Sequence, residues 1–503
     1  LERSVFSLFF VAIVLAAWGV LRGSPFGLRR CDAVHHFRVA SRPDCRQMGH
    51  GCPLARLLSS HNFFETSWPN YERIFSMMDD AARREQHTGE EGSGAYEVRD
   101  IQEVDCCVVG AGPGGAVLSL LLARNGLRVM LLEAHEDFDR DFRGDTLHPS
   151  VLEIMDELGL SARLHSLRHS KIETFSIITP DGPVTLADLR RLKTRFPYIM
   201  MVPQEHFLEM VTTEARTLPN FQLKMSASAQ ELIEEDGQVR GVRYRSHDGW
   251  GEVRALLTVG ADGRSSRIRR LAGFVPIKTS PPMDIVWFRL PRLESDGEGA
   301  MGRFGRGHIL VMLDRMEQWQ IAYVILKGSF QEIRDKGLEA LRRSISEIAP
   351  ELAGRVEQLQ DWKQVAVLSV ESSRVPRWYK PGLLLIGDAA HVMSPVGGVG
   401  INYAIQDAVA AANLLADALK RGRVEASDLA AVQRRREWPT RIIQRVQTLV
   451  QRNVIGNALN PDRPFTLPPA LRLLLRLPIL RNIPARLIAY GFWPVHLKKG
   501  TKP

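Results

Sequence analysis

An α/β fold is predicted by this sequence: a Rossmann-like domain, a β-sheet domain interleaved with it, and a helical C-terminal tail. Three observations carry the prediction. A strand–glycine turn–helix–strand pattern opens at Val104, later apolar strands end in Asp262-Gly263 and Gly387-Asp388, and runs of period-two alternation lie between them. At 503 residues the chain exceeds one ordinary domain. The Rossmann-like domain is expected in three pieces, 101–172, 211–280 and 373–420, with the second sheet inserted at 173–210 and 281–372 and the tail at 421–503.

Residues 1–100 are read as a non-core extension. Positions 5–21 form an apolar run of about 17 residues, at the short edge of a membrane-spanning helix and also the length of a leader's apolar core. The stretch after it has no period, and Cys31, His35, Cys45 and Cys52 match no strong zinc template, so no metal site is expected. An upstream extension ahead of a chain starting near Met77 is preferred to a membrane anchor. Five cysteines make no disulfide framework in a chain this long, which suits a reducing, cytoplasmic compartment.

The first core element is "VDCCVVGAGPGGAVLSLLLARNGLRVMLLEAHEDF" (104–138). "CCVVG" reads as a buried strand, "GAVLSLLLARNG" as a helix closed by Gly126, and "RVMLLEA" as the next parallel strand. Between the first two, Gly110, Gly112 and Gly115 form G-x-G-x-x-G. The first glycine permits the turn, the second lets a phosphate approach the backbone, and the third lets helix and strand pack closely; the helix N-terminus faces the diphosphate. Glu133 closes the second strand, placed to accept hydrogen bonds from a ribose diol. The pattern points to a dinucleotide and leaves FAD and NAD undistinguished. Cys106 and Cys107 lack C-x-x-C spacing and are read as buried structural thiols.

A loop carrying Arg143 then leads into an amphipathic helix. The segments "KIETFSIITPDGPVTL" (171–186), "IVWFRLPRL" (285–293) and "HILVMLDRMEQWQIAYVIL" (308–326) alternate as strands of a mixed or antiparallel sheet, the last with a turn near "DRMEQ". Trp287, Phe288, Trp319 and Tyr323 either line an aromatic pocket or form ordinary sheet core, and core is the preferred reading. The strands "LLTVGADG" (256–263) and "GLLLIGDAAH" (382–391) return to the first domain.

Three segments in order, "GAGPGG" (110–115), "GADGRSSRIR" (260–269) and "GDAAHVMSPVGGVGINYAIQDA" (387–408), resemble the class A FAD-dependent aromatic hydroxylases typified by p-hydroxybenzoate hydroxylase, relatives of the ubiquinone-biosynthesis monooxygenases. The resemblance runs from 104 to about 420 and implies an FAD-binding domain of the glutathione-reductase type. It implies that Gly110, Gly112 and Gly115 hold the FAD diphosphate and Glu133 the adenosine ribose. Arg143 and Gln204 fall near the diphosphate and ribityl chain, and Ala229 meets the adenine through its backbone. Asp262 belongs to a motif linked to FAD and NAD(P)H together, and Asp388 bonds the ribityl hydroxyls. Pro395 lies near the reactive face of the flavin, while Gly400, Ile401 and Asn402 line the pyrimidine side of its ring. A helix starting near Asn402 would turn its positive end toward the N1–C2=O region, favouring the reduced anion by roughly 1 kcal/mol. The chain departs from the family at Val399, where glutamine is frequent.

The chemistry implied is a monooxygenase reaction: FAD, reduced by transiently bound NADPH or NADH, reacts with oxygen to a C4a-hydroperoxide that hydroxylates an aromatic or quinol-type substrate. No second strand-linked glycine motif is present, which disfavours reductases with two dinucleotide sites. A reductase, an epoxidase, a halogenase or a non-catalytic FAD-binding protein on the same scaffold remain alternatives. No residue triad is required and the catalytic residues stay unassigned; His148 and Pro395 are weak candidates, His391 is expected to bond the local backbone, and His206 to be surface or structural. The formal charge of +9 gathers in the tail, where arginine alternates with leucine and isoleucine. That pattern suits helices against the protein body or peripheral contact with a membrane rather than nucleic acid. The partners expected are a small aromatic or lipophilic substrate and oxygen; no oligomeric state follows.

Overall fold

The computed structural model describes residues 98–139, 145–179, 182–296, 299–305, 307–460, 465 and 482–498. The readings made for the first 97 residues and for Arg143 lie outside them. Among the described residues an eight-stranded sheet forms the Rossmann-like layer. Its parallel core runs Leu383–Leu385, Gly249–Gly260, Val98–Val109, Val129–Leu132, Phe221–Lys224. Parallel strands are covered on both faces and read as continuous apolar runs, as in Cys106–Val109 and Val129–Leu132, all buried. Burial pushes the Cys107 thiol up to about 12, so it stays protonated and inert. An antiparallel hairpin, Ser228–Glu235 with Gln238–Ser246, extends this sheet from the Gly249–Gly260 strand.

The helix Pro113–Arg124 is buried from Gly114 to Ala123. A helix apolar all round needs cover all round; one side lies on the sheet and Gly114 touches Ala404 of the long helix Gly400–Lys420. That contact sets the two helices side by side with their N-termini at the same sheet edge.

The second sheet has seven strands, in the order Ala366–Leu368, Met283–Pro291, Gln318–Leu326, Ile309–Arg315, Ala300–Phe304, Thr174–Thr179, Gly182–Asp188. It is antiparallel except where Ala300–Phe304 runs parallel to Thr174–Thr179. Alternation sorts its side chains into two faces. Val286, Phe288 and Leu290 pack with Trp319 and Tyr323 under the helix Leu338–Ile348, whereas Met283, Ile285 and Trp287 share the opposite cluster with Val396. Phe288, Trp319 and Tyr323 are therefore core, and Trp287 alone of the four faces the 387–402 segment.

Among the described residues no helix is long and apolar enough to cross a membrane. The helix Ala426–Val450 departs from the expected pattern of leucine and isoleucine against the body: its buried face also carries Gln433, Arg436, Thr440, Gln444 and Gln447.

Candidate active site

Adjacent parallel strands end along one edge, placing Glu133, Gly110, Ala261-Asp262 and Gly387-Asp388 in a row. Crevices at the carboxyl ends of such strands are where open α/β sheets bind ligands. The three glycines have separable roles there. Gly110 sits at φ +101°, and a Cβ on it would come within 2.6 Å of the Ala261 carbonyl oxygen. A Cβ on Gly115 would be driven into the Gly110 carbonyl oxygen, so that glycine is the packing contact between helix and strand. A Cβ on Gly112 meets nothing within 4 Å. Gly112 is also the N-cap of the Pro113–Arg124 helix, with no side-chain cap, so the first-turn amides point into open space beside it.

Glu133 is buried, and its Oε2 accepts from the Ala111 N–H at 2.8 Å, so the carboxylate is pinned to the glycine turn. Its other oxygen accepts from His135 Nδ1–H at 2.6 Å. Asp262 is turned inward: it accepts from the Ser266 hydroxyl and the Ile268 N–H, capping the short helix Arg267–Leu271. The Ala229 carbonyl accepts from Arg267 at 3.2 Å. Gln204 begins the helix Gln204–Arg216, and its N–H donates to the buried Asp145, which also pairs with Arg315. Burial raises Asp145 to about 6 against the opposing pull of Arg315. His206 is half-buried beside Glu205.

The 387–402 segment is held from three sides. Arg269 donates to the carbonyls of Asp388 and Ala389 at 3.3 and 3.1 Å. Asp407, fully buried, accepts from the Gly387 N–H at 3.1 Å, from His391 Nε2–H at 2.6 Å and from Arg436 Nε–H at 2.7 Å. His391 thus bonds a carboxylate from the long helix, which corrects the expectation of a local backbone partner: the loop folds back over Gly400–Lys420 and brings the imidazole to Asp407. Burial raises the Asp407 carboxyl most, yet His391 and Arg436 together outweigh it and hold it below the usual aspartate value.

The third side is a ladder of glutamines. Gln444 donates to the carbonyls of Ser373 and Val392, Gln447 to those of Ser394 and Val396 at 2.9 and 2.8 Å, and Gln451 to the Ser394 hydroxyl. These residues recur at helical spacing on one face, and Gln444 and Gln447 each satisfy two carbonyls that burial would otherwise leave without partners. Gln447→Ala strands two of them. The expected loss is about 1–3 kcal/mol of stability with weaker FAD retention, read by urea unfolding and by FAD titration of the apo-protein; an unchanged midpoint would show that water replaces the amide at no penalty.

The turn itself runs Pro395–Gly398, closed by Gly398 N–H to the Pro395 carbonyl at 3.0 Å. Gly398 lies at φ +62°, and a Cβ there would meet Thr146 Oγ1 at 2.7 Å, so glycine is required twice over. The helix starts at Gly400, two positions earlier than expected, with Val399 as an N-cap that offers no side-chain cap. Val399 packs in one apolar cluster with Met393 and Tyr403, which is what a valine can do there and a glutamine cannot. The Asn402 side chain accepts from the His148 N–H at 2.8 Å and donates to the carbonyls of Thr146 and Gly398. It clamps the turn to the 146–148 segment.

His148 is buried, and its Nδ1–H donates to the Ile488 carbonyl at 2.6 Å. Burial lowers its pKa to about 4, against the smaller contribution of that carbonyl, so the ring is neutral near pH 7 and Nε2 carries a lone pair. Nε2 is buried without a hydrogen-bond partner and lies 3.6 Å from the position a Cβ on Gly398 would take.

The structure therefore gathers Gly110, Gly112, Gly115, Glu133, Asp262, Asp388, Pro395, Gly400, Ile401, Asn402 and His148 along one edge and its covering loop. The sequence reading missed Thr146, Asp407, Arg436 and the glutamines. One signal was available: polar residues at 433, 436, 440, 444, 447 and 451 repeat with the period of a helix face.

Residues 103–446 match the FAD binding domain family. Over 397 residues the chain is 34% identical to 6-methylpretetramide 4-monooxygenase of Streptomyces rimosus, covering 78% of this chain and 93% of that one. It is 24% identical over 336 residues to para-nitrophenol 4-monooxygenase of Pseudomonas sp. (strain WBC-3), covering 63% and 78% of the two chains. The solved structure of OxyS anhydrotetracycline hydroxylase from Streptomyces rimosus superimposes with a TM-score of 0.64 at 23% identity, covering 79% of this chain and 78% of that one, a likeness of fold. The open cradle at Gly112 and the two uncapped helix N-termini beside it fit a diphosphate-linked flavin, and FAD with NAD(P)H is the cofactor set. The chain belongs to the FAD binding domain family and is a class A FAD-dependent monooxygenase, an aromatic hydroxylase of the p-hydroxybenzoate hydroxylase-like superfamily.

Proposed function

We propose that this enzyme hydroxylates a phenolic ring of a polycyclic aromatic substrate, and that His148 Nε2 accepts a hydrogen bond from a substrate hydroxyl. The observation that carries this reading is the neutral, buried, unpartnered Nε2 beside the Gly398 turn. An acceptor left dry costs about 1–3 kcal/mol unless a ligand satisfies it. The substrate class rests on the kinship with 6-methylpretetramide 4-monooxygenase. Bound FAD supplies, once reduced by NAD(P)H, the activation of oxygen; the protein supplies position and a dry wall. The diphosphate lies over Gly110, Gly112 and Gly115, the ribose on Glu133, the ribityl chain near Arg143, Gln204 and Asp388, the adenine by Ala229, and the ring against Pro395 and the amides of Gly400, Ile401 and Asn402. Asp262 and Asn402 act through the backbone they hold, because their side chains are already engaged within the protein. Trp287 and Val396, in one apolar cluster, wall the ring chamber. The enzyme is read as cytoplasmic, with peripheral membrane contact through its tail where a lipophilic substrate partitions.

The test is His148→Ala assayed with polycyclic phenols. FAD content should match the parent while product formation per flavin falls about 10²-fold or more; equal turnover would remove His148 from the reading. A pH effect accompanies it. The folded pKa of about 4 lies below the ordinary 6.5, so the unfolded chain binds the proton first. Stability is full above 6.5 and declines as pH falls toward 4, by about 3 kcal/mol from this group. Urea midpoints of the parent at pH 7 and 4.5 should show the decline.

A further inference from the structure

The helix Ala426–Val450 buries polar residues beside apolar ones, and its outer face carries an exposed aromatic side chain. Trp438 is 48% exposed there, and Trp493, from the tail, is 47% exposed. Their ring centroids lie 6.3 Å apart, tilted by 39°. Trp493 sits at φ +49°, where a bulky residue is strained by roughly 1–2 kcal/mol, and Arg435 donates to the Pro494 carbonyl at 3.2 Å behind it. Around the pair on the same helix stand Arg434, Arg441 and Arg445, at spacings of three and four from one another or from Trp438. The nearest acid, Glu437, is paired with Arg441 at 3.6 Å.

We infer that Trp438, Trp493 and these arginines form a docking patch for the surface of an anionic phospholipid bilayer, which rests on and deepens the peripheral contact of the tail proposed above. Indoles with one apolar body and one polar edge settle at the headgroup level, and arginines beside them are drawn to the negative leaflet. Nucleic acid fits less well: the two indoles are tilted by 39° to each other and form no flat platform for successive bases. On the buried side of the same helix Gln444 and Gln447 are engaged with loop carbonyls, and Trp438 is left on the outer side.

The experiment uses the full chain with FAD and vesicles of phosphatidylcholine with about one quarter phosphatidylglycerol, by co-sedimentation and by quenching of tryptophan emission with brominated phosphatidylcholine. The parent should bind, more weakly as salt is raised. Arg434→Gln with Arg445→Gln should bind roughly 25-fold more weakly, about fivefold per arginine, and W438A/W493A should lose the bromine-quenched component of emission. Binding by the parent with the same quenched component in W438A/W493A overturns the patch and leaves tail contact elsewhere. No binding by the parent overturns the peripheral reading itself, and the patch with it. Self-association that W438A/W493A abolishes, at unchanged vesicle binding, assigns the face to a second copy and likewise overturns the proposal.

Discussion

Arg436→Ala is expected to destabilise the enzyme by about 3–5 kcal/mol, among the largest effects of any single substitution in the chain. Arg436 and Asp407 are both fully buried, and removing the guanidinium leaves a buried carboxylate with only the His391 ring and the Gly387 N–H as its remaining hydrogen-bond donors. The damage reaches the site because Asp407 also holds the Gly387 N–H and the His391 ring, and so fixes the start of the loop that carries Pro395 and Gly398. FAD affinity should fall with stability. Arg436→Lys should rescue little, since a lysine cannot reproduce the bond from Nε to Asp407 together with that from Nη1 to Gln406. The sign of the acid response follows from the depressed Asp407 pKa: its stabilisation is present above the ordinary value of 3.8 and is lost as pH falls through the lower folded value. Urea unfolding of both variants at pH 7 decides the matter. A loss under 1 kcal/mol in Arg436→Ala would mean that the loop is held by the glutamines and Arg269 alone.

Gly112→Leu and Gly115→Ala should fail in opposite ways. Gly112 lies at φ −64°, open to any residue, and a Cβ there meets nothing within 4 Å. The Gly112→Leu protein should fold with an apo melting temperature within about 2 °C of the parent, yet fill the space where the diphosphate meets the first-turn amides. A loss of FAD affinity of 10²-fold or more is expected, since charge-assisted bonds to a helix N-terminus are each worth about 1.5–3 kcal/mol. In Gly115→Ala the new methyl strikes the Gly110 carbonyl, so helix and strand must separate and the apo-protein itself should lose about 1–3 kcal/mol or more. Calorimetry of apo-protein and flavin titration separate the two outcomes. Full FAD retention in Gly112→Leu would mean that the diphosphate lies elsewhere.

Much of the candidate site was legible in the sequence. A glycine motif between strand and helix states its own geometry, since each glycine answers a local requirement of turn, approach or packing. The Gly-Asp strand ends were legible for the same reason, because apolar runs and their punctuation are short-range signals. His391 was misread because its partner, Asp407, lies 16 residues along and reaches it only once the loop folds back over the helix. The four aromatics were separable only by sheet face: alternation shows that Trp287 and Phe288 point oppositely, but not which face meets the 387–402 loop.

By itself, the sequence determined the α/β class, the strand–glycine turn–helix unit and the family, because these rest on contacts between residues near in the chain or on motifs whose spacing is the geometry. Tertiary structure decided what holds the 387–402 loop. Arg436, Gln444 and Gln447 sit on the helix Ala426–Val450 and Gln451 just beyond it, where leucine and isoleucine were expected to meet the body, and these polar side chains become an interior only where another segment presents carbonyls and a buried carboxylate. It also decided that His148 is neutral, since burial lowers its pKa more than the bond to the Ile488 carbonyl, 340 residues away, raises it. A side chain's type travels with the sequence; whether it is core, surface or ligand depends on what the fold brings against it.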